Sequence, residues 1–464
     1  MNVIVVMLDS LRRDHIGTYG NDWIRTPNID RVAARGAVFD NAYVGSYPCL
    51  PARRDLWTGR YEFPFRGWGG LERNDVEFPG IISGMKLLPG CQMPDPVAPR
   101  PSLISMLILD NWLLISPDGN YHRSFSGWDF IRGQEGDRWI TDPTIPIQFP
   151  CDPRKLRWAY PEVAQHIRNT AHRRTESDYF APQVMQSAID WLERNREANA
   201  FLLWIDSFDP HEPWDPPAHY ASLYDPGYVG ESVISPRYGP SSYLSDEELR
   251  HAQALYAGEI TMVDRWIGLL LDKIDQLGLA ERSLILLMSD HGHLFGEHAT
   301  VGKPWAAIGD SNMYAELAHI PLIAAGPGIV PGRRIRDLVQ PVDVMPTVLE
   351  ALGIDSAGLD LHGKSLLPLL RSGDGMGRDA VFFGRHREAL NVSDGTWTLF
   401  QWPLGDARTA LYHVSEDPGQ LHNVLAQEPD VAERLRAAAR DWLSKIDAPP
   451  GVREFSWKVA DHFP

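Results

Sequence analysis

The fold and the site can be inferred outward from one stretch, Tyr47-Pro48-Cys49-Leu50-Pro51-Ala52-Arg53-Arg54-Asp55-Leu56-Trp57-Thr58-Gly59-Arg60. Prolines on both sides of Cys49 favour an extended segment that leads into a helix, and the residues after Pro51 suit its first turns. Cys49 is therefore predicted at a helix N-terminus, where unpaired N–H groups and the helix dipole favour negative charge. Arg53, one turn further on, would add a fixed positive charge. Such a position would stabilise an anionic nucleophile or an oxyanion.

Cys49, Pro51 and Arg53, followed by Thr58-Gly59-Arg60, resemble the sulfatase signature, in which the cysteine is oxidised after synthesis to Cα-formylglycine. The commonest form of the signature has Ser where this chain has Ala52. The resemblance implies a sulfuric ester hydrolase of the alkaline phosphatase superfamily, matured by a formylglycine-generating enzyme. The alternative is that Cys49 is a small buried residue in a turn bounded by prolines.

Composition limits the partners of the chain. A net charge of -17 over 464 residues argues against binding nucleic acid or an anionic membrane surface, because both need basic patches. Three cysteines, Cys49, Cys91 and Cys151, form no even disulfide framework, which suits a reducing compartment. The apolar run at residues 2–8 is too short to span a membrane and lacks a basic leader. We therefore expect a cytoplasmic protein, with a periplasmic or secreted protein from which a signal peptide was trimmed as the alternative.

The hydrophobic runs predict an α/β fold with a large, mostly parallel central sheet flanked by helices, as in the alkaline phosphatase superfamily. Residues 2–8, 200–205 and 283–288 are nearly continuous apolar runs, as expected of strands that are covered on both faces. A capping box at Ser245 and Glu248 begins a long amphipathic helix. We also predict a helix near residues 102–109 and a strand at 113–116.

Two domains are predicted. Residues 1–375 would form the catalytic α/β domain. From residue 380 onward, short apolar segments separated by Asp-Gly and Gly-Asp turns precede an amphipathic helix at about 430–446. Residues 376–464 are therefore expected to form a smaller antiparallel sheet with one helix.

Acidic residues and histidines follow the predicted strands, and ligands of open α/β sheets lie beyond the carboxyl ends of such strands. The resemblance implies one divalent metal held by Asp9, Asp290, His291 and an oxygen made from Cys49. Calcium is expected because it prefers oxygen ligands, with manganese as the alternative. Many sulfatases have a second aspartate where this chain has Ser10.

Two further residues match substrate-binding positions of the family. His211, in Pro210-His211-Glu212-Pro213, would protonate the leaving oxygen, and Lys303 would neutralise oxyanion charge together with Arg53. Sulfatases commonly also have a Gly-Lys-x-His pair, which is missing near residues 114–118. Either Ser116 or His122 would replace it, or hydroxyl groups would, as in phosphonate monoester hydrolases.

Three hypotheses follow from the sequence. The first is a sulfatase that acts on an aryl or sugar-like ester through formylglycine. The second is a phosphonate monoester or phosphodiester hydrolase of the same superfamily, which Ser10 and the missing Gly-Lys-x-His pair keep open. The third is a non-catalytic, metal-binding relative, in which Cys49 would remain a thiol.

Overall fold

The computed structural model describes residues 1–84, 103–198 and 200–459. The strands are β1 Asn2–Leu8, β2 Gly36–Ala42, β3 Leu103–Leu109, β4 Gly127–Phe130, β5 Ala200–Ser207, β6 Gly239–Pro240, β7 Ser283–Met288, β8 Leu294–Phe295, β9 Thr300–Gly302, β10 Leu322–Ala325, β11 Arg333–Val339, β12 Val381–Gly384, β13 Leu390–Ser393, β14 Thr398–Gln401 and β15 Ala410–Tyr412. The α-helices are α1 Pro27–Arg35, α2 Cys49–Thr58, α3 Phe78–Ile82, α4 Trp112–Ile115, α5 Ala164–Thr170, α6 Phe180–Arg194, α7 Ala218–Ala221, α8 Asp246–Gln276, α9 Ala315–Ala318, α10 Val344–Ala351, α11 Leu367–Arg371, α12 Pro429–Lys445 and α13 Pro450–Arg453.

The central sheet has the strand order β11-β2-β10-β7-β1-β5-β3-β4. All neighbouring strands in it are parallel except β10, which runs antiparallel to β2 and β7. In β1, alternate residues such as Val3 and Val5 belong to one hydrophobic core, and Ile4 and Val6 belong to the other. Both faces of the sheet are thus covered, which explains the continuous apolar run and confirms the predicted α/β fold.

Helices cover the two faces of the central sheet. The long helix α8 begins with the predicted capping box, in which Ser245 and Glu248 each bond the other's backbone N–H. Side chains of α6 and α8 pack in one core, and those of α2 and α10 pack in the other. In the described part of the chain, no helix has the length and apolar character needed to cross a membrane.

A smaller antiparallel sheet, in the order β12-β13-β14-β15, follows in the C-terminal part of the chain, and this part of the fold is confirmed. Helix α12 packs its apolar side chains against this sheet. The core that they share includes Val392, Leu399, Leu411, Leu435 and Ala439. The boundary between residues 375 and 376 stays a prediction.

Two predicted elements are wrong. The segment expected to be helical near residues 102–109 is strand β3, and the segment expected to be a strand at 113–116 is replaced by helix α4 at Trp112–Ile115. Strand β3 pairs along its length with β5, so tertiary pairing decides its conformation. The side chain of Asn111 accepts a hydrogen bond from the Leu113 N–H and thereby caps α4. Ser102 and Cys91 lie outside the described residues.

Candidate active site

The four predicted metal ligands converge at the carboxyl ends of the central strands. Asp9 directly follows β1, Asp290 and His291 follow β7, and Cys49 is the first residue of α2. One ligand atom from each lies within 4.8 Å of those of the other three, and all four residues are buried. The helix N-terminus predicted for Cys49 is therefore present, and it faces the carboxyl edge of the sheet.

The Cys49 side chain lies in an acidic environment. Its Sγ atom is 3.1 Å from Nε2 of His291 and 3.9 Å from Oδ1 of Asp9. Burial and the carboxylates of Asp9 and Asp290 raise the pKa of the Cys49 thiol well above its ordinary value. An unmodified Cys49 is therefore held as a protonated thiol, which is a weak nucleophile.

His291 presents one particular ring nitrogen to this site. Its Nδ1 lies 3.0 Å from the carbonyl oxygen of Gly292, and because a carbonyl only accepts, Nδ1 carries the proton. Burial lowers the pKa of His291 to about 4. The ring is thus neutral, and its Nε2 lone pair is available to a cation beside Cys49.

Asp9 and Asp290 are held differently although both are fully buried. Burial and the Asp290 charge raise the pKa of Asp9 well above its ordinary value. Burial also raises the pKa of Asp290, but His291 and Arg53 outweigh it and hold that pKa below its ordinary value. Oδ2 of Asp9 has an ion pair with Arg53 at 3.0 Å but no contact with the geometry of a hydrogen bond. A bound cation would relieve the repulsion and satisfy this oxygen.

Arg53 lies beneath the ligands and is itself completely buried. Its guanidinium group contacts Oδ1 of Asp206 at 2.6 Å, Oδ2 of Asp290 at 2.6 Å and Oδ2 of Asp9 at 3.0 Å. It does not line the cavity above Cys49. This placement differs from the expected contact between Arg53 and a substrate oxyanion, and it makes Arg53 the residue that orients the acidic ligands.

Lys303 directly follows strand β9 and extends towards the site. Its Nζ atom donates to Oγ of Ser10 at 3.1 Å, and Oγ of Ser10 in turn donates to Oδ1 of Asp9 at 2.9 Å. Ser10, which stands where many sulfatases have a second aspartate, therefore links the lysine to a metal-ligand candidate. Lys303 also lines the cavity above Cys49, as its predicted role requires.

His211 follows strand β5 and lines the same cavity. Its ring stacks on Phe208 with 4.0 Å between ring centres, and Nδ1 lies 2.5 Å from the carbonyl oxygen of Glu212. Nδ1 therefore carries a proton, which leaves Nε2 for a second partner. Burial lowers the pKa of His211 well below its ordinary value, against the opposing effect of the Glu212 carboxylate.

A cavity of about 230 Å³ opens above Cys49. Four tryptophans line it, namely Trp68, Trp112, Trp158 and Trp305. Ser116 and His122 do not line it. Ser116 instead donates to the Leu113 carbonyl, and the His122 ring packs edge-on against Trp128. Neither residue replaces the missing Gly-Lys-x-His pair.

Four residues of the site were not predicted from the sequence. Asp206 lies at the end of β5, and an acid at the end of an apolar strand is a signal that also marks Asp9. Glu212 is next to His211 between two prolines, but its contacts are made by residues distant in sequence. Arg157 and Tyr238 lie outside periodic segments, so no pattern marks them.

Together, this fold and site define an α/β protein in which a buried cysteine and a cluster of possible metal ligands lie at the carboxyl edge of the sheet. The family model described as Sulfatase matches residues 1–86 and 125–354, which is more than half of the chain. The chain therefore belongs to the sulfatase family. A second model, N-sulphoglucosamine sulphohydrolase, C-terminal, matches residues 305–446.

Curated relatives of the chain are named as arylsulfatases. An arylsulfatase of Clostridium perfringens is 25% identical, with 96% of this chain and 93% of the relative covered. Arylsulfatase K of Rattus norvegicus is 23% identical, with 98% and 80% covered. The protein is thus a sulfatase enzyme, which sets aside the non-catalytic hypothesis.

Solved structures share the fold. Phosphonate monoester hydrolase of Agrobacterium radiobacter superposes with a TM-score of 0.70 at 19% identity, covering 96% of both chains. BT4656, solved with its substrate D-glucosamine-2-N,6-O-disulfate, superposes with a TM-score of 0.69 at 18% identity, covering 97% of this chain and 99% of that one. At these identities the likeness describes the architecture alone.

Proposed function

We propose that the protein hydrolyses sulfate monoesters with an aryl or sugar-like leaving group, using Cys49 oxidised to Cα-formylglycine and one divalent cation. The observation that carries this proposal is the convergence of Asp9, Cys49, Asp290 and His291 within 4.8 Å. The same site lies beside Lys303 and His211, which line one cavity.

The residues present fit a hard divalent cation. Asp9 and Asp290 supply carboxylate oxygens, His291 supplies Nε2, and oxidation of Cys49 would replace a sulfur by oxygen, which calcium prefers. The imidazole and the serine at position 10 also suit manganese. With both groups in place, the hydrated aldehyde would supply a hydroxyl nucleophile and the cation would lower the pKa of that hydroxyl.

The chain's own residues perform the remaining tasks. Lys303 extends into the cavity and would attract the anionic sulfate group and neutralise charge that develops on its oxygens. His211, once it is protonated on Nε2 in the presence of the anionic sulfate group, would donate that proton to the leaving oxygen as the sulfur–oxygen bond breaks. Arg53 would keep Asp9 and Asp290 in place through its buried ion pairs.

The cavity supports a ring-shaped leaving group. Aromatic side chains line it on several sides, and its volume of about 230 Å³ suits one ring beside the sulfate. Flat indole surfaces contact aromatic rings or the apolar faces of sugar rings. The natural substrate is accordingly proposed to be a small-molecule sulfate ester.

A second candidate is hydrolysis of phosphonate monoesters or phosphodiesters. Ser10 favours it, because this serine removes one anionic ligand and places a hydroxyl 3.1 Å from Lys303 Nζ. Sulfate monoesters, phosphonate monoesters and phosphodiesters are all tetrahedral monoanions, so one site could accept each of them.

Competing turnover separates the two candidates. The enzyme should be produced with a formylglycine-generating enzyme, treated with EDTA, and assayed after addition of calcium or manganese. We expect a higher kcat/KM for para-nitrophenyl sulfate than for para-nitrophenyl phenylphosphonate. A higher kcat/KM for the phosphonate would overturn the first proposal in favour of the second.

A further inference from the structure

The carboxylate of Glu212 contacts both His211, which is assigned to the leaving group, and Lys303, which is assigned to the sulfate group. Its Oε2 atom accepts a hydrogen bond from Lys303 Nζ at 3.2 Å and lies 3.4 Å from Nδ1 of His211. Glu212 has no exposed surface. A buried carboxylate with such partners is an anchor, because moving any one of them leaves a charge uncompensated.

The other oxygen of Glu212 is also engaged. Oε1 accepts a hydrogen bond from the Tyr238 hydroxyl and lies 3.4 Å from Nη2 of Arg157. Arg157 and Tyr238 both line the cavity above Cys49. The guanidinium group of Arg157 is stacked 4.7 Å from the centre of the Tyr238 ring. Glu212 is therefore surrounded by donors on both oxygens, and its position is fixed from several directions.

The electrostatics agree with this geometry. Burial raises the pKa of Glu212, but the charges of His211, Lys303 and Arg157 outweigh burial and hold that pKa well below its ordinary value. Glu212 is thus an anion in the folded protein. Its charge opposes the effect of burial on His211, which otherwise disfavours the imidazolium.

We propose that Glu212 is a positioning residue for sulfate ester cleavage, which holds Lys303 against the sulfate group and His211 in the orientation that protonates the leaving oxygen. This inference rests on the function proposed above. In the step concerned, His211 is an imidazolium, which the neighbouring Glu212 carboxylate and the bound sulfate group favour. A nucleophile oxygen bonds to sulfur, and the Nε2–H bond of His211 breaks as its proton passes to the leaving oxygen. That oxygen takes the electron pair of the breaking sulfur–oxygen bond, and His211 is left neutral.

The inference predicts a dependence on the leaving group. Phenol is a weaker acid than nitrophenol, so phenyl sulfate needs proton donation more than para-nitrophenyl sulfate does. Glu212→Gln keeps the shape of the side chain but removes the charge. We expect kcat to fall roughly 10-fold with para-nitrophenyl sulfate and roughly 10²- to 10³-fold with phenyl sulfate. Loss of shape alone would lower both rates by the same factor.

The pH profile gives a second readout. The charged groups that face His211 are Glu212, Lys303 and Arg157, and the other titratable residues around the cavity are Cys49, Glu135, Glu162 and Tyr238. Without the charge of Glu212, His211 loses its proton at lower pH. The alkaline limb of the kcat profile should therefore move to lower pH in Glu212→Gln, and an unmoved limb would count against the inference.

Glu135→Gln is the matched control. Glu135 lines the same cavity and contacts Nη2 of Arg157 at 2.6 Å, but His211 and Lys303 pair with Glu212 instead. We expect this variant to change both rates by one common factor. If its loss were as steep for phenyl sulfate as that of Glu212→Gln, the special role of Glu212 would be overturned.

Tyr238→Phe provides a second test in case Glu212→Gln does not fold. It removes one hydrogen-bond donor to Glu212 and keeps the charge of the carboxylate. We expect a smaller loss that is still greater for phenyl sulfate. Equal losses on both esters in every folded variant would overturn the inference while the sulfatase proposal survives. No turnover of either ester by the wild-type holoenzyme would overturn both.

Discussion

The carboxyl edge of the central sheet and the C-terminal sheet with α12 bury side chains of different kinds. The first buries Arg53, Asp9, Asp290 and Glu212, and the second buries aliphatic residues such as Leu435. Buried charges cost desolvation energy that their mutual attraction only partly returns, whereas buried aliphatic groups stabilise the folded state directly. The comparison teaches that a substitution in the C-terminal core should change stability alone, whereas one among the buried charges should change stability and activity together.

The largest expected effect comes from Cys49→Ala. Removing a nucleophile typically costs a factor of roughly 10⁴ or more in kcat, and we expect a loss of this size in para-nitrophenyl sulfate hydrolysis. Cys151→Ala is the control, because Cys151 is equally buried at 6% exposure but packs in the core beneath the sheet. Comparable losses in both variants would mean that the loss of any buried thiol, and not the loss of a nucleophile, lowers kcat.

Arg53→Met should affect both properties. It leaves Asp9, Asp206 and Asp290 without their shared cation, so we expect the free energy of unfolding to fall by about 3–5 kcal/mol, together with most of the activity. Arg154→Met removes an exposed ion pair with Asp152 and should leave the free energy of unfolding nearly unchanged. Denaturant titration of the metal-free proteins measures both changes. If Arg53→Met and Arg154→Met lowered the free energy of unfolding by similar amounts, the buried ion pairs of Arg53 would not have the stabilising role assigned to them.

Leu435→Ala tests the other side of the comparison. Leu435 is fully buried between α12 and the C-terminal sheet, so truncation should cost about 2–5 kcal/mol and leave kcat unchanged at temperatures where the variant is folded. Leu421→Ala, at a side chain that is 70% exposed, should change neither quantity. A fall in kcat with Leu435→Ala would show that the C-terminal sheet contributes to catalysis.

The smallest expected effect is a gradual loss of stability as the pH falls. Burial lowers the pKa of His291 to about 4 and that of His293 to about 3. As the pH falls below about 6.5, the unfolded chain binds protons at these histidines before the folded protein does. Their contribution to stability is therefore complete above that pH, and it declines as the pH falls towards their pKa values in the folded protein. Thermal unfolding of metal-free protein should follow this decline.

His293→Gln should flatten the pH dependence, because it removes one of the protons that the unfolded chain takes up. An unfolding temperature that does not change from about pH 7 to about pH 4 would show that these histidines are not held neutral.

Local patterns predicted much of this molecule. The apolar runs that end at Asp9 and Asp290 indicated parallel strands and the edge where their side chains meet, and the prolines around Cys49 indicated the start of α2. Strand β3 was predicted as a helix, since an apolar run of seven residues does not distinguish the two and its pairing with β5 decides. A local pattern failed wherever a distant partner determined the conformation.

The site shows the same limit. Motif spacing indicated Asp9, Cys49, Asp290, His291, His211 and Lys303, which the structure brings together. The position of Arg53 beneath three carboxylates depends on strands β1, β5 and β7 lying side by side. Glu212 acquires its contacts from Arg157, Tyr238 and Lys303, which come from separate parts of the chain. These relationships exist only in the folded protein.

The mass of the peptide that contains Cys49 tests the central claim most directly, after expression together with a formylglycine-generating enzyme. The account predicts the mass of a formylglycine residue at position 49 in most molecules, with para-nitrophenyl sulfate turnover rising in proportion to the converted fraction. An unchanged cysteine in protein that nevertheless cleaves the ester at full rate would contradict it.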